Sequence, residues 1–409
     1  MEYLQLIKSG ERITLDFPIY AATFAIPAGA LALLIAIPNI PGIIKQFLAI
    51  PLLAANILYP LIFSSDPILD LVGSPFCFTA NLRFLELFYI GPLVQDRPVY
   101  TSLYSLWVDF WSCLKTFPKP AKETTKDVKK GEIKVYKNDR KFYHVLSYWL
   151  ITVMIMDVLS AWVSTFTTYD IMTMEKQQPV FLFIYFIITG LFITCGFNAL
   201  GFGLHLFHCI VVDKGSYSSE QWRKLMEDPI LSSSLDQVWS YRWHQLFKSS
   251  WLALPFRPVF IVSQRLLAKR TKYYVGISLF MASVAVFAVS GLMHEYMLLC
   301  NVGLPVYRRL FIGQQMFFFT IHGCGVIFEK IVKALSQRYL PSHIYNSMAV
   351  RILQHLWVLA FGIAFFTKFM EGFSYWGVYN DHPFQFSRPY IYAFAKSHPQ
   401  LLPYFGSNI

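Results

Sequence analysis

The stretch AVSGLMHEYMLL, residues 288–299, places His294 and Glu295 side by side among residues that suit the middle of a lipid bilayer. An ionisable side chain at that depth costs about 2.5 to 3.5 kcal/mol, so it needs a partner, a water-filled cavity or a chemical role. Ser290 precedes His294 by one helical turn on the same face. A neutral imidazole in a dry site can take a proton from a substrate hydroxyl, which favours general base chemistry. The alternative is a buried histidine bonded to another helix for packing.

Metal chemistry finds little support in the histidine spacing. The pattern HExxH would need a second histidine at position 298, where the sequence has Leu298. His205 and His208 stand three residues apart and could ligate a metal, but the other histidines do not form similar pairs. We therefore expect neither a metal site nor a permanently bound cofactor.

A second group of reactive and aromatic side chains lies in DPILSSSLDQVWSYRWHQLFKSSW, residues 228–251. Its centre contains Trp239, Arg242, Trp243 and His244. Arginine pairs with phosphates and indole surfaces hold flat rings, so this composition suits a long anionic cofactor that enters from the cytosol. An interfacial helix with a tryptophan belt and snorkelling cations would have the same composition.

A third stretch, FFFTIHGCGVIFEKI at residues 317–331, is an apolar helix that carries His322 and Glu329. Its two glycines favour close helix packing over catalysis. Asp157, in VMIMDVLSAW, is a further carboxylate in an apolar segment and predicts a contact between helices.

The composition defines the solvent in which these groups must be positioned. Of 409 residues, 55% are hydrophobic and 14% are charged, and the mean hydropathy is +0.44. Soluble domains carry about 25% charged residues, so the chain is predicted to be one multi-pass membrane domain. The net charge of +11 is concentrated in two places. These are residues 115–141 and 242–272, which are typical of cytoplasmic loops and of contact with anionic headgroups. Without a fold signature for nucleic acid binding, no nucleic acid partner is expected.

Seven apolar windows are long enough to span a bilayer as helices. They run from Phe17 to Ile37, Ile40 to Phe63, Phe142 to Thr165, Pro179 to Val212, Tyr273 to Leu299, Val306 to Ile331 and Ile352 to Met370. The fourth window is too long for one upright helix, so it is tilted, broken at Gly201 and Gly203, or continued past the membrane. Residues 74–113 are aromatic but interrupted, which predicts interfacial or re-entrant helices with Trp107 and Trp111 near the headgroups.

The order of these windows predicts which loops lie together. Two spans separate the basic loop 115–141 from the polar stretch 213–250, so both should lie on one face, and their positive charge makes that face cytoplasmic. Arg308 and Arg309 then fall on the opposite face, against this charge rule. A helix that starts near Tyr273 also carries His294 about 30 Å from that face, so a cytosolic substrate needs a deep tunnel or the helix begins earlier.

Three motifs in order carry a resemblance to a known family. PILSSSLDQVWSYRWHQLF is followed by SGLMHE and then by FFFTIHGCGVIFEK. Over residues 228–330 the chain resembles the wax synthase family of the membrane-bound O-acyltransferase (MBOAT) superfamily. The longer basic loop makes it more similar to fungal members, some of which acetylate terpenoid alcohols.

The resemblance implies an all-α polytopic bundle of about seven to nine transmembrane helices, with re-entrant or interfacial helices and an internal tunnel. Residues 1–409 would form one domain in the endoplasmic reticulum membrane, with the catalytic core at 228–330 and a C-terminal tail at 371–409. The implied reaction moves an acetyl or longer acyl group from acyl-CoA to the hydroxyl of a terpenoid, sterol or fatty alcohol.

The same resemblance assigns the catalytic histidine to His294. The second signature position, an asparagine in many members of the superfamily and a histidine in wax synthases, corresponds to His244. We expect further roles for neighbouring residues. Substrate contacts are expected from Trp239, Arg242, Trp243, Ser290, Glu295 and His322, and contacts to the phosphates of CoA from Arg242, Lys248 and Arg257.

Two other functions remain open at this point. A serine or cysteine acyl-enzyme is disfavoured because the sequence has no GxSxG motif. A transporter or lipid-binding protein could use His294, Asp157 and Glu329 to relay protons or bind solute. Transporters often show two related halves, and the sequence shows no such repeat.

Overall fold

The structure, a computed structural model, describes residues 2–117, 139–377 and 384–409. Most of the predicted basic loop 115–141 lies outside the described residues. The α-helices are α1 (Glu2–Ser9), α2 (Phe17–Ala36), α3 (Gly42–Ile62), α4 (Pro67–Leu85), α5 (Gly91–Gln95), α6 (Leu103–Trp111), α7 (Phe142–Val163), α8 (Thr168–Gln177), α9 (Pro179–Val211), α10 (Leu235–Gln237), α11 (Lys248–Trp251), α12 (Arg257–Leu267), α13 (Tyr274–Val302), α14 (Leu304–Val306), α15 (Gln314–Tyr339), α16 (Ser342–Tyr345), α17 (Met348–Trp376) and α18 (Arg388–Ser397).

Shorter elements join these helices. Wider π-helical turns occupy Glu86–Ile90, Val238–Arg242, Leu252–Phe256 and Tyr307–Phe311, and 3-10 turns occupy Pro229–Leu231 and Pro399–Tyr404. The strands are β1 (Ile13–Thr14), β2 (Phe63–Ser64), β3 (Arg140–Lys141) and β4 (Ser216–Tyr217). The first two pair in parallel and the last two antiparallel, and neither pair forms an extended sheet.

The protein is an all-α polytopic membrane protein, as the sequence predicted. In the described part of the chain, six helices are long and apolar enough to cross a membrane, namely α2, α3, α7, α9, α13 and α17. A bent pair raises the number to seven, the lower end of the expected range. Five predicted windows match these helices within three residues at each end, because length and apolarity alone define a span. The window from Ile352 to Met370 is too short, since α17 begins four residues earlier and ends six residues later.

The window predicted from Val306 to Ile331 is wrong at its start. Leu304–Phe311 and Gln314–Tyr339 are separate helical segments that meet at an angle of 48°. Gly313, between them, has a φ of +83°, a left-handed conformation that glycine adopts without steric cost. The chain therefore turns sharply before α15 begins.

Helix α9 excludes one explanation of the overlong window. It continues for 33 residues without a break at its glycines, which gives a length of about 50 Å. The predicted break is therefore wrong, and a helix longer than the hydrocarbon thickness of about 30 Å is tilted or extends beyond it, the two alternatives left by the sequence. Its last turns bury His205 and His208 against Trp111 and Trp222.

The two polar loops lie on the same face, as predicted. Strand β3, at the end of the basic loop, pairs with β4 in the stretch after α9. Lys115 also forms an ion pair with Asp213 at 2.8 Å, which ties the start of the basic loop to the end of α9. We call this side of the molecule the loop face.

Residues 67–95 form α4, a π-helical turn and α5. Helix α4 packs against α3 and α13, and α5 packs against α12. Trp107 is 39% exposed, whereas Trp111 is only 2% exposed. Trp111 is therefore shielded from lipid by the protein, and the position of both tryptophans at the level of the headgroups stays a prediction. The ring of Trp111 is enclosed by the protein core beneath the loop face, because Trp222 and His208 pack on it.

The chain between β4 and α12 descends into the bundle and returns. We call residues 225–256 the re-entrant segment. Ile230 reaches Gly190 of α9, which lies 21 residues, or about 30 Å, from the end of that helix at the loop face. The backbone amide of Leu235 donates a hydrogen bond of 2.7 Å to Glu329 of α15. The stretch that sequence analysis placed between spans thus reaches the depth of the helices.

Candidate active site

His294 lies on α13 and is 8% exposed. Its Nδ1 donates a hydrogen bond of 2.7 Å to the backbone carbonyl of Ser290, one turn earlier. Its ring stacks on Phe319 with centroids 4.3 Å apart. With Nδ1 carrying the proton, Nε2 keeps a free lone pair and has no hydrogen-bond partner among the described residues. This imidazole is therefore arranged as a proton acceptor.

Two predicted substrate contacts near His294 have structural tasks as well. Ser290 supplies the carbonyl that fixes the tautomer of His294. Glu295 is 3% exposed and accepts hydrogen bonds from the backbone amides of Gln315 and Met316, at 2.8 and 3.0 Å. A carboxylate at the first turn of α15 accepts hydrogen bonds from amides that have no partner within the helix, and its negative charge interacts favourably with the positive end of the helix dipole. Glu295 therefore positions α15.

His244 follows the π-helical turn of the re-entrant segment. Its ring stacks on Phe197 of α9, with centroids 4.2 Å apart, and meets the edge of Phe247. Its Nδ1 is buried and has no hydrogen-bond partner in the described part of the chain. Burial lowers the pKa of His244 to about 3, and the nearby His294 adds to this effect. His244 is therefore neutral at physiological pH, and the two histidines lie close enough to interact.

The re-entrant segment also brings its tryptophans to the neighbourhood of His294. Trp239 contacts Phe319, on which His294 stacks, at a centroid distance of 5.6 Å. It also contacts Trp243 at 5.3 Å and His322 at 5.5 Å. His294, His322, Trp239 and Trp243 are therefore part of one continuous group of aromatic rings, which we call the aromatic cluster. Its other members are Phe318, Phe319 and Phe369.

The three predicted phosphate ligands are not equivalent. Arg242 donates to the backbone carbonyls of Glu227 and Asp228, at 3.0 and 3.2 Å, so part of its guanidinium holds the segment together. Lys248 is exposed, and partial burial and the nearby Arg223 lower the pKa of its amine. Arg257 is exposed and makes no hydrogen bond or ion pair with the described residues. Lys248 and Arg257 thus retain free donors for an anion.

The two carboxylates of the transporter hypothesis hold neighbouring chain segments. Asp157 accepts hydrogen bonds from the amide and hydroxyl of Ser387, at 2.9 and 2.6 Å. Glu329 accepts from the amide of Leu235. Both have backbone amides as partners, so these contacts account for the two acids without a relay through His294.

Sequence analysis missed Asn198, which fixes the depth of the re-entrant segment. Its side chain accepts from the amide of Met226 at 2.9 Å and donates to the carbonyl of the same residue at 3.0 Å. Asn198 is 7% exposed within an apolar helix. The argument that identified His294, a polar group at membrane depth, would also have found it.

Within the described ranges, no group of three or more His, Cys, Asp and Glu side chains could hold a metal ion. The pair considered from the sequence has other contacts. His208 bonds to Asp213 at 3.2 Å, and His205 packs on Trp222 with ring centroids 4.4 Å apart.

Comparison with known proteins points to the same part of the chain. Residues 222–321 match the model of the Membrane bound O-acyl transferase family. This range contains the re-entrant segment, His294 and the first turns of α15. A protein of Arabidopsis thaliana described as "Probable long-chain-alcohol O-fatty-acyltransferase 7" is 28% identical over 106 residues, which cover 26% of this chain. The match spans 28% of that relative's length.

These two findings support the membrane-bound O-acyltransferase superfamily and O-acyltransferase chemistry in general. The family match begins three residues before the re-entrant segment and ends one residue before His322. Similarity to the family therefore coincides with the residues that bring His244 to His294.

Proposed function

We propose that the protein transfers an acyl group from acyl-CoA to the hydroxyl of a hydrophobic alcohol, with His294 as general base. The observation that carries this proposal is the free Nε2 of an enclosed imidazole, whose other nitrogen bonds to Ser290. The family match over residues 222–321 supports the reaction class.

In the proposed step, Nε2 of His294 takes the proton of the alcohol while its oxygen attacks the carbonyl carbon of the thioester. The carbon–sulfur bond then breaks, and the thiolate of CoA takes the proton back from the imidazolium. The products are an ester and CoA. A hydrogen-bond donor must stabilise the oxyanion formed in between, and neutral His244 can supply one N–H.

The re-entrant segment offers a route for the donor. The sequence left a distance of about 30 Å between the cytoplasmic face and His294. Residues 225–256 bridge that depth, so acyl-CoA would enter at the loop face, with Lys248 and Arg257 as phosphate ligands. Arg242 donates to two backbone carbonyls, so its main role in this proposal is to hold the re-entrant segment together and not to bind phosphate. The alcohol would enter from the lipid.

The substrate classes follow from the same site. Rings of tryptophan and phenylalanine favour a hydrophobic acceptor, such as a terpenoid, sterol or fatty alcohol, through burial of apolar surface. The name of the Arabidopsis relative supports a long-chain alcohol and a fatty acyl donor. An acetyl group would use the same chemistry. An endoplasmic reticulum location fits a membrane enzyme acting on lipid-soluble alcohols.

The test is ester formation by microsomes that contain the protein, supplied with radiolabelled acyl-CoA and a panel of alcohols. We expect His294→Ala to lose at least about 100-fold in rate, the usual contribution of a general base. His343→Ala, which changes an exposed histidine, is the matched control and should retain activity. Full activity in a folded His294→Ala protein would remove the base from the mechanism, and no ester from any alcohol with the unaltered protein would refute the function.

A further inference from the structure

His322 has an arrangement that the proposed reaction does not use. It is 4% exposed, and its Nδ1 donates to the backbone carbonyl of Phe318 at 2.8 Å. Its Nε2 therefore has a free lone pair, as in His294, and no described residue donates to it. The residue is buried as a whole, but its Nε2 keeps some accessible surface, so the lone pair can meet a ligand.

Among the described residues, four aromatic rings surround His322. Its ring centroid lies 4.1 Å from that of Phe318, 5.1 Å from Phe361, 5.5 Å from Trp239 and 6.0 Å from Phe365. The neighbouring glycines make this enclosure possible. A Cβ at Gly325 would lie 2.7 Å from Phe361, and one at Gly323 would lie 2.9 Å from Phe287.

One donor in the same enclosure is also without a partner. The indole Nε1 of Trp239 is buried and makes no hydrogen bond to any residue that the structure describes. Trp239 contacts both His322 and Phe319 through its ring. Among the described residues, the site therefore contains an unpaired acceptor, on His322, and an unpaired donor, on Trp239.

This pair lies next to the base. Phe319 stacks on His294, and His322 lies three residues beyond Phe319 on α15, about 4.5 Å further along the helix axis. One molecule of moderate size can therefore reach both histidines.

We propose that the acceptor is a hydrophobic diol, whose second hydroxyl binds His322 and Trp239 while its first hydroxyl reacts at His294. A hydroxyl is both donor and acceptor, so it satisfies Nε2 of His322 and Nε1–H of Trp239 together. A keto oxygen would leave Nε2 of His322 unpaired. The inference rests on the proposed acyl transfer and adds to it that the enzyme makes a monoester and selects which hydroxyl reacts.

The test compares alcohols that share one carbon skeleton: a diol, the corresponding hydroxyketone and the corresponding mono-alcohol. For the unaltered protein we expect kcat/KM to be about tenfold higher for the diol than for the mono-alcohol, with the hydroxyketone between them. His322→Phe, which keeps an aromatic ring, should bring this ratio close to one. Trp239→Phe should lower kcat/KM, relative to that of the mono-alcohol, for both the diol and the hydroxyketone.

Phe365→Leu is the matched control, because it loosens the same enclosure without removing a polar atom. It should leave the ratio unchanged even if it lowers every rate. A ratio near one in the unaltered protein, or an unchanged ratio in His322→Phe, would overturn the proposal.

A binding measurement separates this inference from the proposed function. Thermal unfolding of the purified protein in detergent would be followed with each alcohol and without acyl-CoA. We expect the diol to raise Tm more than the mono-alcohol does, and His322→Phe to abolish that difference. This outcome without ester formation would keep the diol site and refute the acyl transfer, whereas equal shifts would overturn the site whether or not esters form.

Discussion

At the scale of single residues, His244 and His294 divide two tasks that both need a neutral imidazole. His294 has one nitrogen bonded to a carbonyl, which leaves the other free to accept a proton. His244 has no such bond on Nδ1 and lies against Phe197. Burial, with a smaller effect of His294, lowers the pKa of His244 from 6.5 to about 3.

This shift predicts a pH dependence of stability. Protonation of His244 is easier in the unfolded chain than in the folded one, so its stabilising neutral form is fully present above pH 6.5. That contribution is lost progressively as the pH falls from 6.5 towards about 3. We expect Tm in detergent to fall between pH 7 and pH 5, and His244→Gln to weaken this dependence. Parallel Tm curves for the two proteins would show that His244 is not held neutral.

The sequence allowed the residues of the site to be predicted more readily than their contacts. His294 and Glu295 were conspicuous because charged groups are costly in an apolar window. Their separate tasks were not visible, since Glu295 binds amides of residues 315 and 316 across a turn. Gly323 and Gly325 predicted close helix packing around His322. The sequence could not show that its Nε2 lacks a partner, because that depends on which rings surround it.

At the scale of elements, the spans could be predicted and the re-entrant segment could not. A span requires only a run of apolar residues of sufficient length. The depth of residues 225–256 depends on contacts with distant parts of the chain, such as Glu329 with Leu235 and Asn198 with Met226. The bend at Gly313 likewise could not be predicted, because the start of α15 is set by its contact with Glu295 of α13.

Asn198 offers a test of this element. Replacement by alanine leaves the amide and carbonyl of Met226 without partners, which should cost about 1 to 3 kcal/mol. We expect Asn198→Ala to increase amide hydrogen exchange in residues 225–247 and to lower ester formation strongly. The readout is hydrogen exchange measured by mass spectrometry on the protein in detergent.

Asn56→Ala is the matched control for that experiment. Asn56 is equally enclosed, at 1% exposure, and donates to Cys77 and Asn81 in another part of the bundle. It should lower stability by a similar amount without raising exchange in the re-entrant segment. If both variants raised exchange there equally, the segment's depth would depend on the bundle as a whole and not on Asn198.

At the scale of the whole molecule, the distribution of charge decides how the protein sits in the membrane. The loop face carries β3, β4 and the chain that leads into α13. Its cations include Arg257, Arg265, Lys269, Arg270 and Lys272. The opposite face carries Arg308 and Arg309, both exposed, and the end of α18. The larger positive charge predicts that the loop face is cytoplasmic, which is the side where acyl-CoA is available to the proposed reaction.

Cysteine labelling in sealed microsomes tests this orientation. Lys269 lies on the loop face and Lys396 on the opposite face, and both are exposed. Cys324, which is exposed, would first be replaced by serine. We expect a membrane-impermeant maleimide to label Lys269→Cys in intact vesicles and Lys396→Cys only after permeabilisation, because the positive face stays in the cytosol. The reverse pattern would place the mouth of the re-entrant segment in the lumen, and the proposed entry of acyl-CoA past Lys248 and Arg257 would then be wrong even if His294 proved essential.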